Sequence, residues 1–226
     1  MMNRLSAFDL HMHTYHSKDG FQSPYSLFKM MEKKGLRGVA PTEHYRAATL
    51  KVIQRNDRFI IPACEYKSSD FGEVIGLFVS EHIENRTFVE ITEDVHDMNG
   101  LIVLPHPMDP FRKYTAVRRG LPIDLIKKHV DLIEGINSRC FIQLFNTRAQ
   151  ELARCLEKPM TAGSDGHSFL EMGHAKTWLQ DIETAEDIYN ELKQGRTQIS
   201  GYPSFFMVHI PTILWQRIRR IAYDAW

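Results

Sequence analysis

Metal-binding side chains are concentrated in five short segments of this sequence, and each segment follows an apolar run. The segments are His11-Met12-His13, Thr42-Glu43-His44, Cys64-Glu65, Pro105-His106-Pro107 and Gly163-Ser164-Asp165-Gly166-His167. Imidazole and carboxylate groups can hold two or three divalent ions close together. Such ions supply both a hydroxide nucleophile and a clamp for anionic oxygen atoms, so the pattern predicts a multinuclear metal site that performs hydrolysis.

The spacing inside two of these segments strengthens that prediction. His11 and His13 are two residues apart, so on a strand both imidazoles project from the same face. Asp165 and His167 repeat this spacing and are flanked by glycines, which permit close approach of the backbone. Each pair alone is a weak signal, because the same spacing also occurs at polar strand edges. The prediction therefore depends on the five segments taken together.

Three other candidate ligands each have an ordinary structural alternative. Asp19 precedes a glycine, and an Asp-Gly pair is by itself a common turn. Glu65 can bridge two cations with its two oxygens, although a Glu is more usually a surface residue. His106 lies between two prolines, which provide either a stiff mount for a ligand or a structural loop end.

Length, charge and cysteine content limit the possible functions. The 226 residues suit one large domain such as an α/β barrel. Lys and Arg number 28, as do Asp and Glu, so the net charge argues against nucleic acid or an acidic membrane as partner and favours a small substrate. The three cysteines have no C-x-x-C spacing, which indicates a reducing, cytoplasmic location. Neither a signal peptide nor an apolar run of about 20 residues is present, so no membrane association is expected.

Strand-like and helix-like segments alternate, as is typical of a parallel β/α architecture. Predicted strands cover residues 6–13, 38–42, 59–64, 73–80, 101–104, 132–136 and 160–163. Predicted helices cover residues 24–34, 86–98, 121–129, 146–156 and 184–193. Catalytic groups of barrel enzymes gather at the carboxyl ends of the strands. We therefore expect the dispersed ligand candidates to meet on one rim, while the run at 73–80 ends without a ligand.

The ordered motifs D-L-H-M-H-T, S-K-D-G, T-E-H, A-C-E, L-P-H-P and G-S-D-G-H resemble those of the PHP family, named for its polymerase and histidinol phosphatase members. The matches extend from Asp9 to His167. The resemblance implies a single-domain α/β fold, a distorted seven-stranded (β/α) barrel of TIM-like type. It also implies two or three divalent ions, with zinc, manganese or iron as candidates, and the activity of a small stand-alone phosphoesterase.

The resemblance also implies which residues bind each ion. His11 and His13 would bind one ion, with Glu65 and Asp165 completing or bridging its shell; Asp19, His44 and His167 would bind the second; Glu65 and His106 would bind the third. Asn137 stands where many members have another His or Cys, and its amide is a weaker ligand. Glu43 and Ala63 replace the common Asp and Gly of the family motifs, and neither change removes a ligand.

Substrate contacts are predicted from position relative to these motifs. Arg46 and Arg139 lie two residues beyond His44 and Asn137, where a guanidinium could grip a phosphate. Asn137 is itself an alternative substrate contact. Glu65 and Asp165 are the expected catalytic carboxylates, and His16, which lies between two ligand motifs, is a candidate proton donor. The segment 108–121, with Arg112, suits either a mobile loop over the site or an ordinary surface connection.

We expect a metallohydrolase barrel over residues 1–200 and a C-terminal extension over 201–226. Residues 211–226 have helix-like apolar spacing beside several arginines, and packing on the barrel is favoured over binding to a membrane or a partner chain. The expected reaction is hydrolysis of a small phosphoester by a hydroxide held between metal ions. A metal-dependent amidohydrolase and a non-catalytic interaction module are the alternatives. The sequence does not indicate an oligomeric state.

Overall fold

The computed structural model describes residues 4–44 and 47–210, together with residues 212 and 214. The strands in these residues are β1 (Leu5–Met12), β2 (Gly38–Glu43), β3 (Ile53–Arg55), β4 (Arg58–Ile60), β5 (Ala63–Lys67), β6 (Glu73–Leu77), β7 (Leu101–Leu104), β8 (Leu132–Asn137), β9 (Met160–Gly163), β10 (Ala175–Gln180) and β11 (Gln198–Gly201). The α-helices are α1 (Leu27–Lys34), α2 (Phe88–Asp97), α3 (Ile123–His129), α4 (Gln143–Cys155) and α5 (Ala185–Lys193).

The strands form one sheet in the order β11-β10-β1-β2-β5-β6-β7-β8-β9, with β3 and β4 beside β2. Neighbours are parallel from β1 to β5 and from β7 to β9. By contrast, β6 is antiparallel to both β5 and β7, and β10 is antiparallel to β1 and β11. The protein is therefore a mixed α/β single domain with a nearly closed, barrel-like sheet. The sheet combines parallel and antiparallel pairs, and the predicted count of seven strands is not confirmed.

Alternation along the strands separates an interior from an outer layer. Leu101 and Val103 of β7 pack with Phe8 of β1 in one hydrophobic cluster. Ile102 and Leu104 pack instead with residues from the surrounding helices. Because successive strand residues point to opposite faces, the first cluster fills the inside of the barrel. Near the carboxyl end of each strand, the residues that continue the interior set of this alternation therefore face the inside of the barrel at its rim.

Local sequence signals account for the helix ends. Thr87 caps α2 through a reciprocal capping box with Glu90, and α5 begins with the same device at Thr184. Gly35 ends α1 in the left-handed region, with φ of 64°. The predicted helix 24–34 is divided, because residues Pro24–Ser26 form a 3-10 turn before α1 begins.

The first strand meets the loop after β9 along a contact that nearly closes the sheet. We call this contact the seam; it joins residues 9–13 to residues 163–166. The Asp165 N–H donates to the His11 carbonyl at 2.6 Å, and the His13 N–H donates to the Gly166 carbonyl at 2.9 Å. A Cβ added to Gly163 would lie 2.3 Å from the Cβ of His11, so only glycine fits there. The seam holds the two most informative motifs against each other.

The predicted boundary at residue 200 falls within β11 (Gln198–Gly201), and the division into barrel and extension stays a prediction. A 3-10 turn, Phe206–His209, follows β11. Except for residues 212 and 214, the predicted C-terminal helix lies outside the described residues. In the described part of the chain, no helix combines the length and the apolarity needed to cross a membrane.

Candidate metal centre

A bulge in β1 turns the first histidine pair toward the inside of the barrel. Leu10 belongs to the interior cluster, and residues of the opposite parity would ordinarily face outward. The pairing of β1 with β2 shifts register between Asp9 and Met12. Because a bulge re-aims the residues that follow it, His11 and His13 also face the interior, where both are buried.

Glu65 reaches the same space from β5. The predicted strand 59–64 is interrupted at Pro62, so Glu65 is the third residue of β5 instead of following a strand. Pro62 cannot donate a ladder hydrogen bond, which explains the break. Ala63 lies in the interior cluster, and Glu65, two residues later, points in the same direction nearer the rim.

The predicted ligands converge in three overlapping groups whose ligand atoms lie within 4.8 Å of one another. The groups are His13, Asp19, His44 and His167; His11, His13 and Asp165; and His11, Glu65 and His106. All eight ligand candidates from the sequence are present in them. The structure therefore brings these side chains together, while their binding of metal stays a prediction.

Short distances link the three groups into one centre. Glu65 Oε1 lies 3.5 Å from His11 Nε2, and Glu65 Oε2 lies 3.3 Å from His44 Nδ1. Asp165 Oδ1 lies 3.5 Å from His13 Nε2. Because each carboxylate reaches more than one histidine, either can bridge two ions.

Glu134 supports this centre and was not identified from the sequence. Its Oε1 accepts a hydrogen bond from His11 Nδ1 at 2.9 Å. Its Oε2 accepts from the backbone N–H of His106 at 2.7 Å and from Asn137 Nδ2 at 3.0 Å. A carboxylate on Nδ1 turns the Nε2 lone pair of a histidine toward a metal. The available signal was a charged residue inside an otherwise apolar strand.

His13 and His167 are also oriented by contacts at Nδ1. His13 Nδ1 contacts Ser17 Oγ at 3.3 Å, and that hydroxyl donates to Glu43 Oε2 at 2.5 Å. His167 Nδ1 donates to the carbonyl of Asp165 at 2.8 Å. Both rings therefore direct Nε2 toward the other ligand candidates. Glu43, which replaces the Asp common in the family motif, thus contributes to the orientation of a ligand candidate.

Buried atoms without partners show that the residues fit divalent ions. Within the described residues, His11 Nε2, His13 Nε2 and Asp19 Oδ1 are buried and have no hydrogen-bond partner. An unpaired buried polar atom is costly. Imidazole nitrogen and carboxylate oxygen are also the donors preferred by zinc, manganese and iron.

The protonation of the ligand candidates is governed by burial and by neighbouring charge. Burial, helped by the neighbouring His167, lowers the pKa of His13 to about 3, so this ring is neutral at pH 7. Burial also acts to lower the pKa of His11, but Glu134 and Asp165 outweigh it and raise the pKa well above its usual value. A cation bound at His11 would have to displace that proton, so metal binding should release protons.

A cleft of about 200 Å³ opens beside the centre. Arg112, Arg139 and Glu73 line it together with six of the ligand candidates. Arg112 Nη2 lies 2.6 Å from Asp165 Oδ2. Surface solvation was considered at least as plausible for Arg112 from sequence, and only the folded segment 108–121 shows that it reaches the centre.

Glu73 also reaches the cleft, from the first residue of β6. Burial, followed by the nearby charge of Glu65, raises the pKa of Glu73 to about 7. Glu73 is not predicted from the sequence, because a ligand is expected only at the carboxyl end of the run 73–80.

The remaining predicted contacts occupy different positions. Arg139 lines the cleft, and its Nη1 contacts His167 Nδ1. Asn137 is fully buried and donates from Nδ2 to Asp165 Oδ2 at 3.2 Å as well as to Glu134. His16 lies in the loop after β1 against Tyr15 and is not among the residues lining the cleft. Arg46 lies outside the described residues. The substrate and catalytic roles of these residues stay predictions.

Glu171 connects the centre to the end of the described chain. Its Oε2 accepts from the backbone N–H of His167 at 3.0 Å, and its Oε1 lies 3.2 Å from Arg139 Nη1. The same Oε1 pairs with His209 Nδ1 at 2.5 Å. The carboxylate is buried, so it positions both the ligand loop and a cleft arginine. No motif in the sequence around His209 indicates this contact.

Comparison with other proteins identifies the family. A family model described as PHP-associated matches residues 143–197. The uncharacterized protein MJ0417 of Methanocaldococcus jannaschii is 32% identical over 184 residues, which cover 80% of this chain and 74% of that protein. The chain belongs to the PHP family.

Solved structures share the fold of this PHP-family protein. PsfC from Pseudomonas syringae has a TM-score of 0.70 at 16% identity, covering 95% of this chain and 98% of PsfC. A Bifidobacterium adolescentis protein assigned as a metal-dependent phosphoesterase has a TM-score of 0.58 at 13% identity, covering 88% and 97% of the two chains. The lesion-specific endonuclease PfuEndoQ from Pyrococcus furiosus has a TM-score of 0.58 at 17% identity, covering 87% of this chain and 58% of the endonuclease.

These structural neighbours bear on the predicted partners. One of them is a lesion-specific endonuclease. Endonuclease Q has also been solved as a complex with a 27-mer duplex substrate. Because an endonuclease shares the fold, the prediction that nucleic acid is an unlikely partner of this PHP-family protein is not supported. At these identities the likeness shows the fold alone, and the substrate has to be argued from the site.

Proposed function

We propose that this PHP-family protein is a metal-dependent phosphoesterase that hydrolyses a small phosphorylated molecule. One observation supports this most directly: eight histidine and carboxylate side chains converge beside a cleft that two arginines also line. Histidine and carboxylate ligands suit divalent ions, and guanidinium groups suit the oxygens of a phosphate.

The ligand groups divide the work of holding the ions. His13 and Asp165 would hold one ion, Asp19, His44 and His167 would hold a second, and His11 and His106 would hold a third, with Glu65 shared between the ions. When bound, divalent ions supply Lewis acidity and an activated water for attack at phosphorus. Glu134 and the Ser17–Glu43 pair keep the histidine lone pairs directed inward.

The contacts of two arginines support a role in orienting a phosphate. Arg112 is held by Asp165 at 2.6 Å and also by Asp109 at 3.4 Å. Arg139 is held by Glu171, whose Oε1 lies 3.2 Å from Arg139 Nη1. Because a guanidinium has five N–H donors, each residue retains donors for substrate oxygens. We propose Arg112 and Arg139 as phosphate contacts, and we keep His16 as the proposed proton donor to the leaving oxygen.

The size of the cleft favours a small substrate. Its volume of about 200 Å³ is below the roughly 300–1,000 Å³ of pockets for drug-sized ligands. A single phosphorylated group fits such a space better than a large rigid ligand does. A nucleotide displaced from a nucleic acid end or lesion is the competing substrate, and it is tested directly below.

The experiment is a substrate screen on protein reconstituted separately with zinc, manganese and iron. We expect at least two ions per chain by elemental analysis and release of phosphate from chromogenic and small phosphate esters. Glu65→Gln and Asp165→Asn should lower turnover by more than the roughly 10–100-fold typical of outer-shell changes. Glu151→Gln, a change of an exposed carboxylate on α4, should have no effect.

Three results would overturn the proposal. Cleavage of damaged or single-stranded DNA with no activity on small esters would assign the centre to nucleic acid. Hydrolysis of amides without phosphate release would favour the amidohydrolase alternative. Folded, metal-loaded protein that cleaves none of these substrates would favour an interaction module.

A further inference from the structure

Glu73 is a carboxylate of the rim that the proposed mechanism does not use. Interior residues of β6 include Ile75 and Leu77, so Glu73, two residues before Ile75, points inward as well. Because β6 is antiparallel to β5, its first residue lies at the end where β5 carries Glu65. Because β6 runs in the opposite direction to β5, the first residue of β6 lies at the rim, and its side chain is of a type that binds metals.

Contacts of Glu73 direct it to one part of the centre. Its Oε2 lies 3.7 Å from His106 Nε2, and the same nitrogen lies 3.2 Å from Glu65 Oε1. Within the described residues, the carboxylate of Glu73 accepts no hydrogen bond, although only 19% of its side chain is exposed. A largely buried carboxylate beside a second carboxylate is costly unless a cation lies between them.

A second, independent observation points to a cation at this place. His11 Nε2 is buried, has no hydrogen-bond partner, and lies 3.5 Å from Glu65 Oε1. Its ring is held from the other side by Glu134. Asn137, the residue expected from the family pattern to complete this site, instead turns its amide nitrogen toward Glu134 and Asp165.

We propose that Glu73 supplies a carboxylate ligand to a divalent ion held by His11, Glu65 and His106. Glu73 then takes the part at the third ion that Asn137 was expected to play. This inference rests on the proposed metal centre but not on phosphoester hydrolysis. Protein that binds three ions and cleaves no phosphate ester would refute the function and leave the assignment of Glu73 intact.

The test measures ion binding to full-length Glu73→Gln by titration of the metal-free protein with zinc or manganese against a competing chelator. We expect the weakest of three ions to lose at least about tenfold in affinity, while the other two keep theirs. Thermal unfolding provides a second readout. Removing an uncompensated carboxylate should raise the Tm of metal-free protein, whereas the rise in Tm caused by saturating metal should become smaller than in wild type.

Control variants keep the result interpretable. Glu151→Gln makes the same change on an exposed helix position and should leave all affinities and both Tm values unchanged. Glu73→Asp, which keeps the charge on a shorter side chain, should give an intermediate affinity and replaces Glu73→Gln if that variant does not fold. Three ions bound with wild-type affinities in Glu73→Gln, or only two ions bound by wild type at saturation, would overturn the proposal.

Discussion

Replacing Glu134 with glutamine should damage the metal centre by changing the position of one proton. The carboxylate accepts three hydrogen bonds, one at Oε1 from His11 and two at Oε2 from His106 N–H and Asn137 Nδ2. Glutamine has one acceptor oxygen and one NH2 group of the same shape. In either orientation, therefore, its NH2 group meets at least one existing donor.

The two orientations differ in what they lose. An NH2 group at the Oε2 position would face both donors, and each lost bond costs about 1–3 kcal/mol in a buried site. An NH2 group at the Oε1 position would face only His11 Nδ1, which can become an acceptor if the ring proton moves to Nε2. We expect the second orientation. The neutral His11 ring then carries its single proton on Nε2, the nitrogen that has to offer a lone pair to the ion beside Glu65.

The predicted loss of metal affinity follows from the position of the His11 proton. Correcting the tautomer before metal binds should weaken the ion held by His11 by about 10–100-fold, as for other outer-shell changes, which equals about 1.4–2.8 kcal/mol. Nitrogen-15 NMR of the histidine ring would report the tautomer, and a chelator competition would report the affinity. Glu93→Gln, on an exposed position of α2, is the matched control. A metal-free variant in which the His11 ring has the same protonation as in wild type, together with an affinity within about twofold of wild type, would refute the reasoning.

Two further predictions concern stability. Gly163→Ala should destabilise the fold by at least the roughly 1–3 kcal/mol of an overpacked core, because the new Cβ would lie 2.3 Å from that of His11; denaturant unfolding within about 0.5 kcal/mol of wild type would contradict this. A hydrogen bond to Asp131 raises the pKa of His96 above its usual 6.5, so this pair should stabilise the protein fully below pH 6.5 and lose that contribution as the pH rises through the folded-state pKa. The difference in unfolding free energy between wild type and His96→Gln should shrink accordingly between pH 5 and 9, and a difference that grows with pH would show that the sign is wrong.

Sequence reasoning succeeded where local signals agree with the final contacts. Strands β7 and β9 match their predicted bounds, 101–104 and 160–163, since a turn or a ligand motif marks their ends. Seven of the eight ligand candidates could be collected because each lies in a motif at or just after the end of a predicted strand, whereas Asp19 lies in the loop after β1. Their convergence required no knowledge of side-chain packing beyond the rule that strand ends share a rim.

Glu73 and strand β10 were missed because of strand direction and strand pairing. Ligands were sought only at the carboxyl ends of strands, which is correct for parallel strands. In β6 the rim end is the amino end, so Glu73 was missed although Ile75 and Leu77 share its parity. Strand β10 was also missed, because it pairs antiparallel with β1 and partner choice between distant segments is not encoded in local periodicity.

Other residues were missed because their role depends on contacts across the fold. Arg112 reaches Asp165 only after the segment 108–121 folds over the rim. Glu171 meets His209 across 38 positions of sequence. In each case the residue type was compatible with a surface position, and nothing nearby in sequence distinguished the two environments.

The seam also determines the order in which the protein can mature. Ser164 and Asp9 are 155 positions apart, so their contact closes a long loop of the chain, and such long-range closure is slow. Ligand candidates lie on both edges, His11 and His13 on one and Asp165 on the other. An ion bound between them acts as a cross-link and favours the closed sheet, while each opening of the seam releases the ion. Exchange of the amide hydrogens of His13 and Asp165 with solvent should therefore slow as metal is added, reporting the last step of folding and the loading of the centre as a single event.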